Sequence, residues 1–303
     1  MDFTKLEISE ASISKKMTKE SESKLKNFKN IFLSKEFPIF SIAFLIIFAT
    51  LTLVIPNKTL ESGIYGSLSS SLIKPGQEHL FGTDLMGRDI LMRIIHGGKI
   101  SLLVGVGSAF MTLVIGVLYG GISGYVGGRT DQAMMRLLEI FLALPSIVIM
   151  VFIQALFGKT TVLGIIIAIS ITSWMSTARL VRTEVIEMKN REYVLAAKVT
   201  GASPFRIFKN HIFSHLTNAI TFITAISVAN GIISEATLSF MGLGFPPEIP
   251  SWGTMLMDAQ KLVMTGNWWV PMFPGIAVIC TVFSATNIGE YIRKSNNKKT
   301  KLI

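Results

Sequence analysis

Six long apolar stretches alternate with polar connectors along this chain, at about 37–55, 100–122, 134–157, 161–178, 217–238 and 270–289. Each approaches the roughly 20 residues that an α-helix needs to cross a hydrocarbon layer about 30 Å thick. Lipid offers no partner to a bare N–H or carbonyl, so such segments bond internally and are expected to be helices. The second stretch carries Gly105, Gly107, Gly116, Gly120 and Gly121, which lets neighbouring helices approach closely. The third carries Glu139 and Pro145. Trp268-Trp269 stand at the mouth of the sixth, where a membrane interface favours aromatic rings. The pattern predicts an all-α integral membrane protein with six transmembrane helices.

The connectors set the domain limits. Residues 1–36 hold eight Lys and six acidic residues with few large apolar side chains, too few to bury a core. They are expected to form a cytoplasmic tail, with an interfacial helix near Phe28 to Leu33. Ile55-Pro56-Asn57 offers no small-x-small cleavage site, so the first stretch is expected to remain as a span. Residues 37–99 combine that span with an outer connector, in which Leu85, Ile90, Leu91, Ile94 and Ile95 predict a helix along the membrane surface. Residues 100–289 hold the other five helices and a second outer connector at 239–269. Residues 290–303 are a basic cytoplasmic tail.

The connector at 190–216, NREYVLAAKVTGASPFRIFKNHIFSHL, is a charged island that reads as helix, turn, helix. Glu192 to Val199 are good helix formers, and Gly201 ends that helix because glycine accepts the left-handed conformation of a C-terminus. Ser203 is placed as an N-cap, with Pro204 at the first helical position, where a missing N–H costs nothing. Phe205, Phe208 and Ile212 form one apolar stripe with Arg206, Lys209 and Asn210 off it. Two short, partly apolar helices outside the membrane need a partner groove to cover them.

Composition agrees: 50% of residues are hydrophobic and 16% charged, and the mean hydropathy is +0.54. The lone Cys280 excludes a disulfide framework. A net charge of +10 invites a nucleic-acid partner, but its distribution says otherwise. Six spans put 22 of the 29 Lys and Arg residues on the side of the termini and the 190–216 loop, and 7 on the other. The positive-inside rule places the first side in the cytoplasm.

The strings Leu195-Ala196-Ala197, Gly201 and Ile212-Phe213-Ser214 resemble the coupling loop of the membrane permeases of binding-protein-dependent ABC importers. That pattern is Glu-Ala-Ala, a Gly four residues on, then Ile-x-Leu-Pro; Leu195 stands in place of its Glu and Ser214 in place of its Pro. Phe81-Gly82-Thr83-Asp84, Gly87-Arg88-Asp89 and Ile100 to Gly105 are similar to the C-type permease subunit of oligopeptide, dipeptide and nickel importers. So are Ser234-Glu235-Ala236, Leu238 to Gly244, Pro250-Ser251-Trp252-Gly253 and Phe273-Pro274-Gly275.

The resemblance implies a type I importer permease fold with cytoplasmic coupling helices, multi-pass in the cell membrane. It implies import of oligopeptides or dipeptides by alternating access, with nickel or a metal chelate as the alternative cargo. Such a subunit has no catalytic residues and no cofactor; ATP and Mg belong to two partner ABC ATPases. The other partners are a homologous B-type permease and an extracytoplasmic binding protein. The residues carried over to ATPase coupling are Arg191, Glu192, Tyr193, Leu195, Ala196, Ala197, Gly201, Ala202, Pro204, Phe205, Phe208 and Ile212. Gln154, Ser227, Asn230, Ser234 and Glu235 either face the path or bond helix to helix, since polar groups at membrane depth are costly. Asp84, Arg88, Asp89 and Trp252 are candidates for docking the binding protein, with bracing of a helix start as the alternative for the first three. Glu139 is expected to pair with an Arg or a backbone group.

Three other patterns carry no chemistry. Gly158-Lys159-Thr160 ends like a phosphate-binding loop, but Ile153 stands where its first glycine belongs. His211 and His215 share a helical face, yet Ile212 occupies the position of a zinc-protease Glu. Four scattered histidines make no catalytic constellation for an intramembrane enzyme. A channel without an ATPase would leave the 190–216 loop without a role.

Overall fold

Helix α1 (Ile39–Val54) is apolar on all sides and only 16 residues long. The computed structural model describes residues 38–55, 65–158, 160–208, 210 and 213–300. The expected tail at 1–36, Lys209, His211 and Ile212 lie outside them. Among the described residues every regular element is a helix, apart from one isolated bridge between Thr83 and Asp89.

Helix α2 runs unbroken from Ile90 to Val126, 37 residues. The surface helix and second span expected from the pattern are therefore one element. Asp89 starts it by accepting the N–H of Met92 at 3.0 Å. No proline interrupts its length, and packing keeps it helical through Gly97-Gly98: a Cβ on Gly98 would strike Phe48 and Thr52 of α1. The third span is broken instead. Helices α3 (Gly128–Leu142) and α4 (Ser146–Phe157) meet at 82°. Pro145 lacks an N–H and disfavours helical geometry at Leu144, so the chain turns there.

Helix α5 (Val162–Lys189) is capped by Thr161, whose hydroxyl accepts from the N–H of Gly164, and outruns the expected 161–178 by three turns. After α6 (Glu192–Val199) and α7 (Pro204–Ile207) comes α8 (Phe213–Phe240). Ser251 and Thr254 cap each other at the start of α9 (Trp252–Ala259), and α10 (Trp269–Thr300) closes the chain. Helices α2, α5, α8 from Ala219 and α10 are long and apolar enough to cross a membrane; α3–α4 make a fifth if the bent pair is one span.

The helices α2 and α5 form the central pair. A Cβ on Gly120 would overlap the carbonyl of Ala178, and one on Gly124 would sit 2.8 Å from that of Arg182. Backbone therefore meets backbone, which is how helices gain contact in lipid where burial of apolar surface has no driving force. Helix α8 packs on α2 from another side, Ile232 against Gly105. One apolar cluster joins Ile90, Ile94, Ile232, Trp252 and Trp269. Another joins Val181, Val185, Val194, Ile207, Leu216 and Ile223 at the opposite end.

Candidate coupling and translocation site

The 190–216 segment folds as its residues dictate. Helix α6 ends in a left-handed turn at Gly201, φ +79°. The N–H of Gly201 donates to the Lys198 carbonyl and that of Ala202 to the Ala197 carbonyl, so the last carbonyls of the helix are bonded. The Ser203 hydroxyl accepts the N–H of Arg206 at 3.4 Å as the cap of α7. Val194 and Ile207 are buried among Val181, Val185 and Leu216, and Phe208 meets the ring of Tyr125 edge-on at 5.7 Å. Tyr193, Leu195, Ala196 and Val199 face outward, Val199 with 88% of its surface bare. Arg191 pairs with the exposed Glu187, one helical turn before it, a contact of small energetic value.

At the far end, buried charges hold the connector before α2 and the one around α9 together. Asp84 accepts Nε of Arg88 at 2.7 Å and Nη1 of Arg93 at 2.5 Å, while Asp258 of α9 accepts Nη2 of both, at 2.8 and 3.0 Å. Asp89 caps α2 and takes Nδ1 of His79 at 2.8 Å. Trp252 is wholly buried, its indole N–H on the carbonyl of Ile94. Glu235 is equally buried, and its carboxylate accepts hydroxyls from Ser101, Ser239 and Ser251.

Between α5 and α8 lies a groove of about 90 Å³ with Ser173, Ser176 and Thr177 on one wall and Phe222, Ser227 and Asn230 on the other. The guanidinium of Arg293 stands 5.0 Å from the centre of the Phe222 ring. Ser234 lies a turn further along α8, half-buried. Gln154 is on α4, buried, and neither amide atom is bonded among the described residues.

Residues 114–301 match the family model described as binding-protein-dependent transport system inner membrane component. The chain belongs to this family. It is 36% identical to the dipeptide transport system permease protein DppC of Bacillus subtilis over 86% of this chain and 80% of that one. It is 39% identical to the oligopeptide permease OppC of the same organism, over 74% and 73%. The nickel permease NikC of Escherichia coli is 32% identical, over 75% and 81%. The protein is thus a multi-pass membrane permease of an ABC transporter.

Within this permease the candidate residues separate into groups. The described members of the 191–208 set come together on one unit, whereas Ile212 and the side chains of Pro204 and Phe205 lie outside the described residues. Ser227 and Asn230 share the groove, but Glu235 does not reach it: its oxygens are taken up by three serines. Asp84, Arg88, Asp89 and Trp252 are inside the fold, and their side chains are engaged in internal bonds rather than offered to a docked protein. Glu139 is exposed on α3. Sequence reasoning missed Arg93, Asp258, Ser173, Thr177, Asp131 and Arg182. Arg93 follows Asp89 by one helical turn and could have been found from that spacing; Asp258 is 165 residues further on, and no local pattern links the two.

Proposed function

We propose that this chain is a permease subunit of an ATP-driven importer of dipeptides and oligopeptides, taking cargo from an extracytoplasmic binding protein and passing it by alternating access. The observation that carries this is the α6–Gly201–α7 unit, anchored by Val194 and Ile207 yet bare at Leu195 and Val199. An anchored unit with an uncovered apolar face is suited to a partner groove. The partner is an ABC ATPase, one of two that hold ATP and Mg; a homologous permease completes the membrane part. Counting α1 and the α3–α4 pair as spans gives six, with both termini in the cytoplasm of a cell membrane. The α5–α8 groove lines the path, its hydroxyls and amide suited to passing peptide groups. The dipeptide and oligopeptide names of its relatives support that cargo.

The test is reconstitution with the partner permease, both ATPases and the cognate binding protein. A labelled tripeptide should accumulate in vesicles only when ATP is hydrolysed; accumulation indifferent to ATP would sink the proposal. The nickel permease among the relatives favours a second cargo. A cognate binding protein that holds a metal chelate and no peptide would transfer the proposal to it.

A further inference from the structure

Where α2, α3 and α5 converge near the 190–216 unit, a polar knot stands apart from both the docking face and the groove. Asp131, in the first turn of α3, is buried. It accepts Nε and Nη2 of Arg182 at 2.5 and 2.6 Å, and the Ser123 hydroxyl at 2.5 Å. Three helices meet on one carboxylate: Ser123 from α2, Asp131 from α3, Arg182 from α5. Beside it Lys189 donates to the Tyr125 carbonyl at 2.6 Å and lies over that ring. On either side of Arg182, Val181 and Val185 belong to the cluster that seats Val194 and Ile207. The same turns of α5 therefore carry both the seat of α6–α7 and the grip on α3.

Among the described residues, helix α3 has little else to hold it. Leu138 and Met135 pack with Tyr119, Trp174, Met175 and Ala178, and the Tyr119 hydroxyl donates to the Met134 carbonyl. Leu137, Ile140 and Phe141 are bare. Apolar contact permits sliding, whereas a two-toothed guanidinium–carboxylate pair fixes both distance and direction. Beyond Pro145 the chain turns into α4, which bears the buried Gln154.

We propose that Asp131, Arg182 and Ser123 form a positioning clamp that makes α3 follow the α6–α7 unit, so that movement imposed there by the ATPases reaches the bent α3–α4 pair. The clamp rests on the proposed importer function.

The test uses the whole reconstituted complex and the ratio of labelled tripeptide imported to ATP hydrolysed, measured on assembled complexes purified through an ATPase tag. Asp131→Asn should assemble, retain its ATPases and hydrolyse ATP, while that ratio falls about five- to tenfold, the lower part of the range of ordinary coupling free energies. Arg182→Lys, which keeps the charge but loses the fork, should give an intermediate ratio at normal complex yield. The exchange Asp131→Arg with Arg182→Asp should recover part of the loss. Unchanged ratios in the single variants, or reduced yield with a normal ratio in the complexes that do form, would make the pair a folding contact only and overturn the clamp. If the wild-type complex itself imports without ATP, it is the importer proposal that fails.

Discussion

Among the described residues a Cβ on Gly201 would meet nothing within 4 Å, so the cost of a side chain there comes chiefly from the left-handed backbone. That cost is about 1–2 kcal/mol for a residue other than glycine. Gly201→Ala should therefore loosen ATPase docking by roughly 5- to 30-fold without disturbing insertion. ATPase retained on purification in detergent reads this directly, and Gly201→Asn, which tolerates the conformation better, should retain more. Trp252 presents the opposite case. It is fully buried, tilted against Phe48 at 5.4 Å and bonded to Ile94. Trp252→Ala should cost about 3–5 kcal/mol of stability, the usual range for emptying such a site. Thermal unfolding in detergent should show that loss, while the complexes that survive bind the external protein with wild-type affinity. Weakened docking at normal stability would restore Trp252 to the outer surface.

At the scale of elements, much was legible in the sequence, and the misses have physical causes. The Gly201 stop and the Ser203–Pro204 start are local chemistry, and both appear as expected. The continuity of α2 through Gly97-Gly98 was not legible, because tertiary packing against α1 and the Ser251 backbone, rather than propensity, keeps those glycines helical. Pro145 was visible as a residue but not as an 82° break. The overrun of α5 was hidden by its charge: a hydropathy reading stops where Arg179 and Arg182 begin, although the helix does not. The contact between α2 and α5 yields its own prediction. Gly120→Ala should push the pair apart, since the added methyl would overlap the Ala178 carbonyl and crowd the Arg182 backbone nitrogen. We expect a loss of about 1–3 kcal/mol, as for overpacking in general, seen as reduced complex yield and a lower unfolding temperature. Gly128→Ala, whose Cβ would meet nothing within 4 Å among the described residues, should cost only what its positive φ demands.

For the whole molecule, hydrophobic patterning conveys the class and the charge asymmetry an orientation, but long-range pairing is silent in a single sequence. Arg93 with Asp258 and Asp131 with Arg182 are joined only by folding. The orientation can be checked at positions the structure leaves open. With Cys280 replaced by Ser, a cysteine at Met264, 95% exposed in the second outer connector, should react with an impermeant thiol reagent in intact cells. One at Val199, 88% exposed on α6, should react only after the cells are opened. The reverse pattern would invert the molecule.

The length of α5 has a consequence for the lipid around it. Its apolar part, Val162 to Ala178, covers about 26 Å, and the turns from Arg179 to Lys189 extend about 16 Å further. A headgroup layer accounts for only about 5–7 Å of that extension. Val194 and Ile207 pack on Val181 and Val185, only about 5–10 Å past Ala178, so in the proposed orientation the α6–α7 unit sits near the headgroup level, within a screening length of about 8 Å at physiological salt. The surface potential of anionic lipids therefore reaches it. Exchanging zwitterionic for anionic lipid in nanodiscs should change ATPase retention at physiological salt, and the effect should fade as the salt is raised.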